Sequence, residues 1–427
     1  MQASILQKYG EARLPRYTSY PTAPRFSASI GPVAYADWLA GLPHDEPVSL
    51  YLHVPFCRSM CWYCGCHTTI TGREQPVTDY LGLLREEIRM VATRAPARLG
   101  VEKVHFGGGT PTIVKPEEFI ALADLLHERF AFTDGAEMAV EIDPRTLSAG
   151  MAAALGQAGV ARASLGVQSF DPVVQKAINR IQSEECTAEA VHHLRRFGVE
   201  RINFDLIYGL PNQTVRSCVE TVAAAVAMRP DRFAVFGYAH VPTFKKHQRM
   251  IDEAALPGSA ARSEQARAIA EALTAAGYRQ IGLDHFALPD DDLAAAQAAG
   301  TLRRNFQGYT TDSCETLIGF GASSIGGPPP ARVCPRSQKD RPPAAVIERL
   351  MCDFEADVPA ICARHGFDAG RLLDGNVRLA MLAGDGVLEN DGGLIRVRGA
   401  HRFLVRVAAA AFDAYLEESP RTHSKVA

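Results

Sequence analysis

Hydrophobic positions follow two different periods between about Val48 and Tyr238. Short runs rich in β-branched and aromatic residues predict strands, and the longer stretches between them repeat apolar residues at helical spacing. The predicted strands are Ser49–Val54, Lys103–Phe106, Met138–Ile142, Ala163–Val167, Ile202–Ile207 and Phe233–Tyr238. The predicted helices between them include Pro76–Thr93, Pro116–Phe130, Ala188–Phe197 and Thr214–Met228. This alternation predicts an α/β fold with a parallel sheet, a partial barrel of six strand–helix units.

The rest of the chain divides around this barrel. Residues 1–46 are irregular and rich in proline and predict an ordered N-terminal arm, and the barrel domain takes residues 47–325. Residues 326–345 are rich in proline and arginine without an apolar period, and predict a linker. We expect residues 327–343 to be poorly ordered and to pack little. Residues 346–427 predict a small, mostly helical C-terminal domain, with helical patterns over Val346–Phe354 and Ala400–Leu416 and a short strand over Leu394–Val397.

Charge and hydropathy exclude some classes of function. The chain has 45 basic and 48 acidic residues, so no overall field points to nucleic acid or to an anionic membrane. No apolar run is long enough to span a bilayer, and the N-terminus lacks the pattern of a secretory signal. We therefore expect a cytoplasmic protein without nucleic-acid or membrane partners. An anionic substrate would need a local cluster of arginine or lysine.

Cysteine is concentrated in one place. Four of the ten cysteines lie at positions 57, 61, 64 and 66, directly after the first predicted strand. Thiolates are the usual ligands of iron–sulfur clusters, and three of them at CxxxCxxC spacing leave one iron of a [4Fe–4S] cube open. Two alternatives stay open: a zinc site that uses Cys64 or Cys66, and a redox pair of Cys61 with Cys64. The sequence shows no second ligand pair that zinc would need.

Other reactive side chains and a glycine-rich segment lie at the ends of the following strands. The segment GGGTPT follows the second strand, and Glu141, Gln168 and Asp205 lie at the ends of the third, fourth and fifth. In parallel barrels the chemistry collects at the carboxyl ends of the strands. The pattern therefore predicts one active site at that end of the barrel.

The cysteine spacing after a first barrel strand resembles the radical S-adenosylmethionine (SAM) superfamily. Eight segments narrow the resemblance to one family within it, the oxygen-independent coproporphyrinogen III oxidases. They are PRYTSYPT at 15–22, YLHVPFCRSMCWYCGCH at 51–67, HFGGGTPT at 105–112, EIDPR at 141–145, LGVQSFD at 165–171, NFDLIYGLP at 203–211, DHFA at 284–287 and NFQGYTT at 305–311. The resemblance covers about residues 10 to 325, and several motifs in one chain are far more specific than one.

The resemblance implies a role for each matching residue. Cys57, Cys61 and Cys64 would hold a [4Fe–4S] cluster whose open iron binds SAM, which is then cleaved to a 5′-deoxyadenosyl radical. A first SAM molecule would be held by Tyr51, Gly108, Glu141 and Ile325. A second SAM molecule, which family members can hold, would be bound by Tyr63, Gly109, Thr110, Gln168, Arg180, Asp205 and Ala239. Cys66 and Tyr51 are the expected catalytic residues.

The implied reaction is the decarboxylation of two propionates of coproporphyrinogen III to vinyl groups, giving protoporphyrinogen IX. It needs an electron donor of the flavodoxin or ferredoxin kind and an electron acceptor that the sequence does not name, and we expect a monomer. Arginines must meet the propionates, and the sequence does not choose among the candidates Arg16, Arg25, Arg162, Arg303 and Arg304.

Two other functions stay open. A haem-binding chaperone of the same branch would keep the cluster, although Cys66 and the N-terminal arm favour the oxidase. The chain also departs from the family pattern after Ile325, in residues 326–343, so a relative that carries the cluster but lacks activity is the other alternative.

Overall fold

A computed structural model describes residues 3–22, 31–326, 340–416 and 426. Its helices are α1 (Ala3–Tyr9), α2 (Pro32–Ala40), α3 (Gln75–Arg94), α4 (Pro116–Arg129), α5 (Ala149–Gln157), α6 (Pro172–Ala177), α7 (Glu184–Arg196), α8 (Val215–Ala227), α9 (Ser259–Ala275), α10 (Asp292–Ala298), α11 (Arg341–Asp353), α12 (Val358–Arg364), α13 (Gly370–Leu373), α14 (Val377–Gly384) and α15 (Val405–Ala410). None of the helices in this described part is long and apolar enough to cross a membrane.

The strands are β1 (Val48–Val54), β2 (Phe56–Cys57), β3 (Thr69–Ile70), β4 (Gly100–Gly108), β5 (Ala131–Ile142), β6 (Val160–Gln168), β7 (Arg201–Tyr208), β8 (Arg232–Gly237), β9 (Arg279–Ile281), β10 (His285–Ala287), β11 (Arg303–Asn305), β12 (Gly308–Thr310), β13 (Thr316–Phe320), β14 (Glu355–Asp357), β15 (Leu388–Asp391) and β16 (Leu394–Val397). All six predicted barrel strands are confirmed.

The central sheet has the order β13-β1-β4-β5-β6-β7-β8-β10-β9. Neighbouring strands from β13 to β8 are parallel, and β10 and β9 add an antiparallel edge. All seven residues of β1 are buried, as expected for a strand covered on both faces. The partial six-unit barrel is therefore confirmed, with β13 as a further parallel strand. Because the parallel strands share one direction, their carboxyl ends meet at one mouth.

Helices cover the outer face of the sheet by burying one side. In α3 the buried residues are Val77, Leu81, Leu84, Ile88 and Val91, which recur every three or four positions. Helix α7 begins after Ser183, whose hydroxyl accepts a hydrogen bond from the Cys186 amide. Helix α5 has no counterpart among the predicted helices, because its sequence AGMAAALGQ is small and apolar on all sides and shows no polar face.

A second hydrophobic core joins the two ends of the chain. Ile5, Tyr9, Leu14, Tyr17 and Tyr20 of the N-terminal segment pack with apolar residues of the C-terminal region. The Tyr17 hydroxyl donates to an Asp413 carboxylate oxygen at 3.0 Å, and the Ala414 amide donates to the Tyr20 hydroxyl at 3.0 Å. The predicted arm is thus ordered over its described residues, although its apolar side chains complete the C-terminal core.

The C-terminal region is mostly helical, with a small antiparallel sheet of order β14-β16-β15. The predicted strand Leu394–Val397 is confirmed. The single helix predicted over Ala400–Leu416 is wrong: a 3₁₀ turn over Gly399–Leu404 leads into the short α15. Every residue of α15 is buried, so this helix lacks the exposed face that an amphipathic helix would have. It ends at Ala410, six residues before the predicted end at Leu416.

The prediction of a poorly packed segment over 327–343 is wrong for its last four residues, of which Asp340 is buried and the other three are residues 341–343. They open α11, and Pro342 and Pro343 are buried in its first turn, where a missing amide proton costs nothing. Residues 327–339, the rest of that prediction, lie outside the described residues. The helical region therefore begins at Arg341, five residues before the predicted boundary, whereas the division into domains at 46 and 325 stays a prediction.

Candidate active site

The cysteine loop, residues 55–71, is fixed at the carboxyl end of β1. Strand β2 begins only two residues after β1 and pairs with β3. The Thr69 amide donates to the Pro55 carbonyl at 2.7 Å, and the Trp62 amide donates to the Ile178 carbonyl at 2.9 Å. Since backbone bonds hold the loop at both places, the cysteines between them have a defined position at the mouth of the barrel.

Each cysteine of the CxxxCxxC set is a free thiol that receives hydrogen bonds. The hydroxyls of Thr68 and Thr110 donate to the Cys57 sulfur at 3.3 and 3.4 Å. Arg145 Nη2 and Arg180 Nη1 both donate to the Cys61 sulfur at 3.4 Å, and the Cys66 amide donates to the Cys64 sulfur at 3.4 Å. Such donors stabilise thiolates, the form that binds iron. These residues therefore fit an iron–sulfur cluster.

A hydrogen bond between the side chains of Cys64 and Cys66 shifts their pKa values in opposite directions. The hydrogen bond from the Cys66 thiol lowers the pKa of Cys64 to about 6, and the same bond raises the pKa of Cys66. Cys64 is therefore a thiolate at neutral pH, whereas Cys66 keeps its proton. In the described part of the chain, no three His, Cys, Asp or Glu side chains enclose a position for a single metal ion.

The glycine-rich segment lies directly against the cysteine loop. The Gly109 amide donates to the Val54 carbonyl at 2.9 Å, and the Thr110 amide donates to the Phe56 carbonyl at 2.8 Å. A Cβ on Gly109 would lie 2.5 Å from Thr68 Oγ1 and 2.6 Å from the Phe56 carbonyl oxygen. Glycine is therefore required here by close packing against the cysteine loop.

Tyr51 and Glu141 form the first of two polar groups beside the cysteines. Glu141 accepts hydrogen bonds from the Gly108 amide at 3.1 Å and from His105 Nε2 at 3.2 Å. The buried Tyr51 ring stacks on His105 with 6.0 Å between ring centroids, and its edge meets Phe306 at 4.6 Å. Burial raises the pKa of Tyr51, so its hydroxyl stays protonated. The structure therefore brings together Tyr51, Gly108 and Glu141, as predicted.

Arg180 and Gln168 belong to the second group. Arg180 is buried, and its Nη2 donates to the Gly166 carbonyl at 2.6 Å and to Asp143 at 3.3 Å. A Cβ on Gly166 would lie 2.7 Å from Gln168 Nε2 and 3.1 Å from Arg180 Nη2, so the two side chains lie side by side. Gln168 itself has a φ of 68°, a left-handed conformation that is uncommon outside glycine and aims its side chain at the end of β6.

Tyr63 and Ala239 are joined by a residue that the sequence analysis missed. Gln248 Nε2 donates to the Tyr63 carbonyl at 3.0 Å and to the Ala239 carbonyl at 3.2 Å. Gln248 is buried and ties the cysteine loop to the segment after β8. No sequence signal marks it, because it lies in a short 3₁₀ turn that matches no motif.

Asp205 completes the second group on β7. Its oxygens accept from Ser164 Oγ at 3.1 Å and from Asn203 Nδ2 at 2.9 Å. Desolvation, together with the negative charge of Glu141, raises the pKa of Asp205 to about 7. Two carboxylates that face the same space make it attractive to a cationic group such as a sulfonium or an ammonium.

The raised pKa of Asp205 predicts a pH-dependent stability. The unfolded chain releases this proton near 3.8, but the folded protein holds it up to about 7. Folding stability should therefore fall as the pH rises from about 4 to 7. We expect Asp205→Asn to remove this component, so that the variant gains on the order of 1 kcal/mol over the parent between pH 5 and pH 8. Urea unfolding of the cluster-free protein at both pH values measures it.

Asp134→Asn, at an exposed position on β5, is the matched control and should leave the difference between the two pH values unchanged. Equal pH dependence in the Asp205→Asn variant and the parent would show that Asp205 titrates normally.

The remaining residues proposed from the sequence lie in different parts of the molecule. Ile325 lies beyond β13, with its carbonyl oxygen 2.7 Å from where a Cβ on Gly319 would be, and Gly319 pairs with Tyr51. Arg162 lies near the amino end of β6, where Nε pairs with Glu137 at 3.4 Å. The suggestion that Arg162 meets the substrate is therefore wrong, because it sits at the opposite end of the barrel. Arg25 lies outside the described residues.

Two further residues at the site were missed, although each lies in a segment already noted. His105 opens HFGGGTPT, and Arg145 closes EIDPR. Both carboxylate oxygens of Asp143 accept hydrogen bonds from the Arg145 guanidinium, at 2.6 to 3.2 Å. This bidentate pair holds Arg145 where its Nη2 donates to the Cys61 sulfur. Hydrogen bonds to cluster sulfurs influence reduction potential, so both arginines on Cys61 belong to the site.

The parallel barrel and the three cysteines at its mouth are typical of radical SAM enzymes, and comparison with known proteins gives the same class. Residues 51–225 match the model of the radical SAM superfamily, whose members use a [4Fe–4S] cluster and SAM. The chain is 54% identical, over the full length of both chains, to the oxygen-independent coproporphyrinogen III oxidase of Bradyrhizobium diazoefficiens. It is 37% identical to the protein of that name in Escherichia coli K12, covering 98% of this chain and 96% of the relative.

A solved structure of the Escherichia coli coproporphyrinogen III oxidase, described as a radical SAM enzyme, superimposes with a TM-score of 0.88. The match has 36% sequence identity and covers 94% of this chain and 98% of that one. The chain therefore belongs to the family of oxygen-independent coproporphyrinogen III oxidases.

Proposed function

We propose that this protein converts coproporphyrinogen III to protoporphyrinogen IX without oxygen, by oxidative decarboxylation of two propionates to vinyl groups. The observation that carries the proposal is the set of three free thiols at one barrel mouth, each with hydrogen-bond donors and with the glycine-rich segment packed beside them. The relatives named above carry the substrate in their names. The reaction belongs to haem biosynthesis.

Cys57, Cys61 and Cys64 would hold the cluster, and its fourth iron would be left for SAM. When bound, the two cofactors supply an electron and an alkyl radical strong enough to take hydrogen from an unactivated carbon. The protein provides position and shielding. Phe56 and Cys61 are buried, and Trp62 and Tyr63 pack on a neighbouring apolar cluster, so the loop excludes water from the side of the cysteines.

The two polar groups suit two SAM molecules. Tyr51, Gly108, Glu141 and Ile325 are proposed for the first, in which Glu141 is anchored by the Gly108 amide and offers an acceptor to an ammonium. For the second, Arg180 would meet a carboxylate and Asp205 a ribose or sulfonium, with Gln168, Thr110, Gly109, Tyr63 and Ala239 around them. We propose Cys66 as a catalytic residue, since it lies directly beside the cluster ligand Cys64, to whose sulfur its amide donates at 3.4 Å.

The proposed reaction also has requirements for redox partners and for the cellular compartment. It needs a low-potential donor of the flavodoxin or ferredoxin kind and a final electron acceptor. Reduced cysteines suit the cytoplasm, where thiols are kept reduced. We propose a monomer, since the residues of both polar groups come from one chain.

The test is anaerobic reconstitution of the cluster in the full chain, followed by incubation with coproporphyrinogen III, SAM and a reductant. Chromatography of the oxidised porphyrins should show protoporphyrin together with 5′-deoxyadenosine. A parallel titration with haem tests for a chaperone. Formation of 5′-deoxyadenosine without any porphyrin product, or tight binding of haem instead, would contradict the proposal.

A further inference from the structure

Three arginines from distant parts of the sequence meet beside β8. They are Arg16 in the N-terminal segment, Arg262 on α9 and Arg304 on β11, and we call them the arginine cluster. Arg16 Nη2 donates to the Gly237 carbonyl at 2.6 Å, and Arg262 Nη2 lies 3.1 Å from the place that a Cβ on Gly237 would occupy. Arg304 Nη2 lies 3.5 Å from the Arg16 carbonyl oxygen.

The positive charge of the arginine cluster exceeds the negative charge that faces it. Asp284 lies 3.8 Å from Arg304 Nη1 and also bonds His285 at 2.8 Å. Burial would raise the pKa of Asp284, but Arg304, His285 and Arg16 lower it to about 2. Glu11 faces Arg262, and Arg406 faces Arg16 and adds a further positive charge. Desolvation and the like charges of Arg304 and Arg262 lower the pKa of Arg16, and desolvation lowers the pKa of Arg262.

Some guanidinium nitrogens of the arginine cluster lack hydrogen-bond partners. The Arg304 side chain is only 3% exposed and stacks on the Tyr309 ring at 4.4 Å, yet its Nε and Nη1 have no hydrogen-bond partner. Arg262 Nε also has none. A buried donor left without an acceptor costs about 1–3 kcal/mol. Buried guanidinium nitrogens without an acceptor are therefore expected where a ligand supplies one.

The arginine cluster lies at the same end of the barrel as the cysteines. Gly237 ends β8, two residues before Ala239, which Gln248 joins to the cysteine loop. On the other side, Arg304 and Phe306 belong to one hairpin, and Phe306 touches the Tyr51 ring. Two residues of extended chain span about 6.6 Å, so the hairpin brings the backbone of Arg304 close to Phe306 and through it to Tyr51.

We propose that the arginine cluster binds a propionate carboxylate of the substrate. The inference rests on the proposed function and adds a subsite to it. A carboxylate fits because a guanidinium offers two parallel donors to its two oxygens, and because it would supply both the missing charge and the missing acceptors. The methionine carboxylate of SAM has the same chemistry, and the experiment separates the two.

The experiment uses the reconstituted full chain and coproporphyrin III, an oxidised and fluorescent form that is not turned over. Binding is compared with its tetra-amide, in which every propionate is neutral. We expect Arg16→Gln and Arg262→Gln each to raise the Kd for coproporphyrin III about tenfold or more, while the Kd for the tetra-amide changes little. Arg16→Lys should keep most of the affinity, because it keeps the charge.

Matched controls remove the same charge from the same segments. Arg13→Gln lies at an exposed position three residues from Arg16, and Arg267→Gln lies on the exposed face of α9, where it pairs with Glu271. Both should bind coproporphyrin III as the parent does. The concentration of SAM that half-saturates 5′-deoxyadenosine formation is measured for every variant without porphyrin.

Several results would overturn the inference. One is unchanged binding of coproporphyrin III by both Gln variants, and another is an equal loss for the acid and the tetra-amide. A shift in SAM saturation without a shift in porphyrin binding would assign the carboxylate to the cofactor instead. If the parent binds coproporphyrin III through these arginines but forms no protoporphyrinogen, the proposed function fails while the subsite stands.

Discussion

Replacing Cys57, Cys61 or Cys64 with alanine is expected to abolish cluster uptake and to reduce SAM cleavage by at least about a thousandfold. Each thiol has its own fixed donors, from Thr68 and Thr110, from two arginines, or from the Cys66 amide. A cube with two protein ligands is exposed to loss and oxidation, so catalysis, which needs roughly 8 kcal/mol or more of barrier lowering, disappears.

The measurements are iron and sulfide content, the visible absorption of the reconstituted protein, and 5′-deoxyadenosine formed with dithionite. Cys186→Ser is the matched control, because that thiol lies on α7, outside the cysteine loop, and donates to the Pro144 carbonyl at 3.6 Å. It should retain cluster and activity. Full iron content in any of the three alanine variants would show that the ligands are assigned wrongly.

Gly109→Ala is expected to be nearly as damaging, although it changes no ligand. Its Cβ would overlap Thr68 Oγ1 and the carbonyl of Phe56, both part of the cysteine loop. The Phe56 carbonyl also accepts the Thr110 amide, so it moves only by breaking that bond. Overpacking of this kind costs about 1–3 kcal/mol. Because the displaced backbone carries Cys57, we expect at least a tenfold loss in SAM cleavage in addition to lower thermal stability.

Gly135→Ala serves as the control, since nothing lies within 4 Å of a Cβ at that position in β5. It should match the parent in melting temperature, iron content and turnover. If Gly109→Ala also takes up a full cluster and turns over normally, the cysteine loop adapts and the close packing is not a requirement.

The fold was largely predictable because its signals are local. The six barrel strands are continuous apolar runs, and α3 and α4 have clear helical periods. Helices α5 and α15 were not predictable in the same way, because α5 is built of small apolar residues without a polar face and α15 is buried along its whole length. The packing of Tyr17 and Tyr20 into the C-terminal core also escaped prediction, since it joins residues almost 400 positions apart.

The candidate site divides along the same line. Its cysteines, its glycines and Glu141 follow from spacing and from the direction of parallel strands, whereas Asp205, expected at the end of its strand, lies three residues before the end of β7. Contacts between elements do not: the meeting of Arg145 and Arg180 on Cys61, the bridge made by Gln248, and the exclusion of Arg162 need three-dimensional positions. Arginine is common and long, so its presence in a motif does not reveal which group its guanidinium reaches.

The hydrophobic core that the N-terminal segment shares with the C-terminal region affects the order in which the protein folds during synthesis. During synthesis the barrel up to residue 320 can fold on the ribosome well before the residues around Asp413 emerge. Until then Tyr17 and Tyr20 have no core to enter, so the N-terminal segment that carries them stays unpacked beside the barrel. Arg16 belongs to the same segment and bonds the Gly237 carbonyl, so the arginine cluster is complete only after about the last hundred residues have been made.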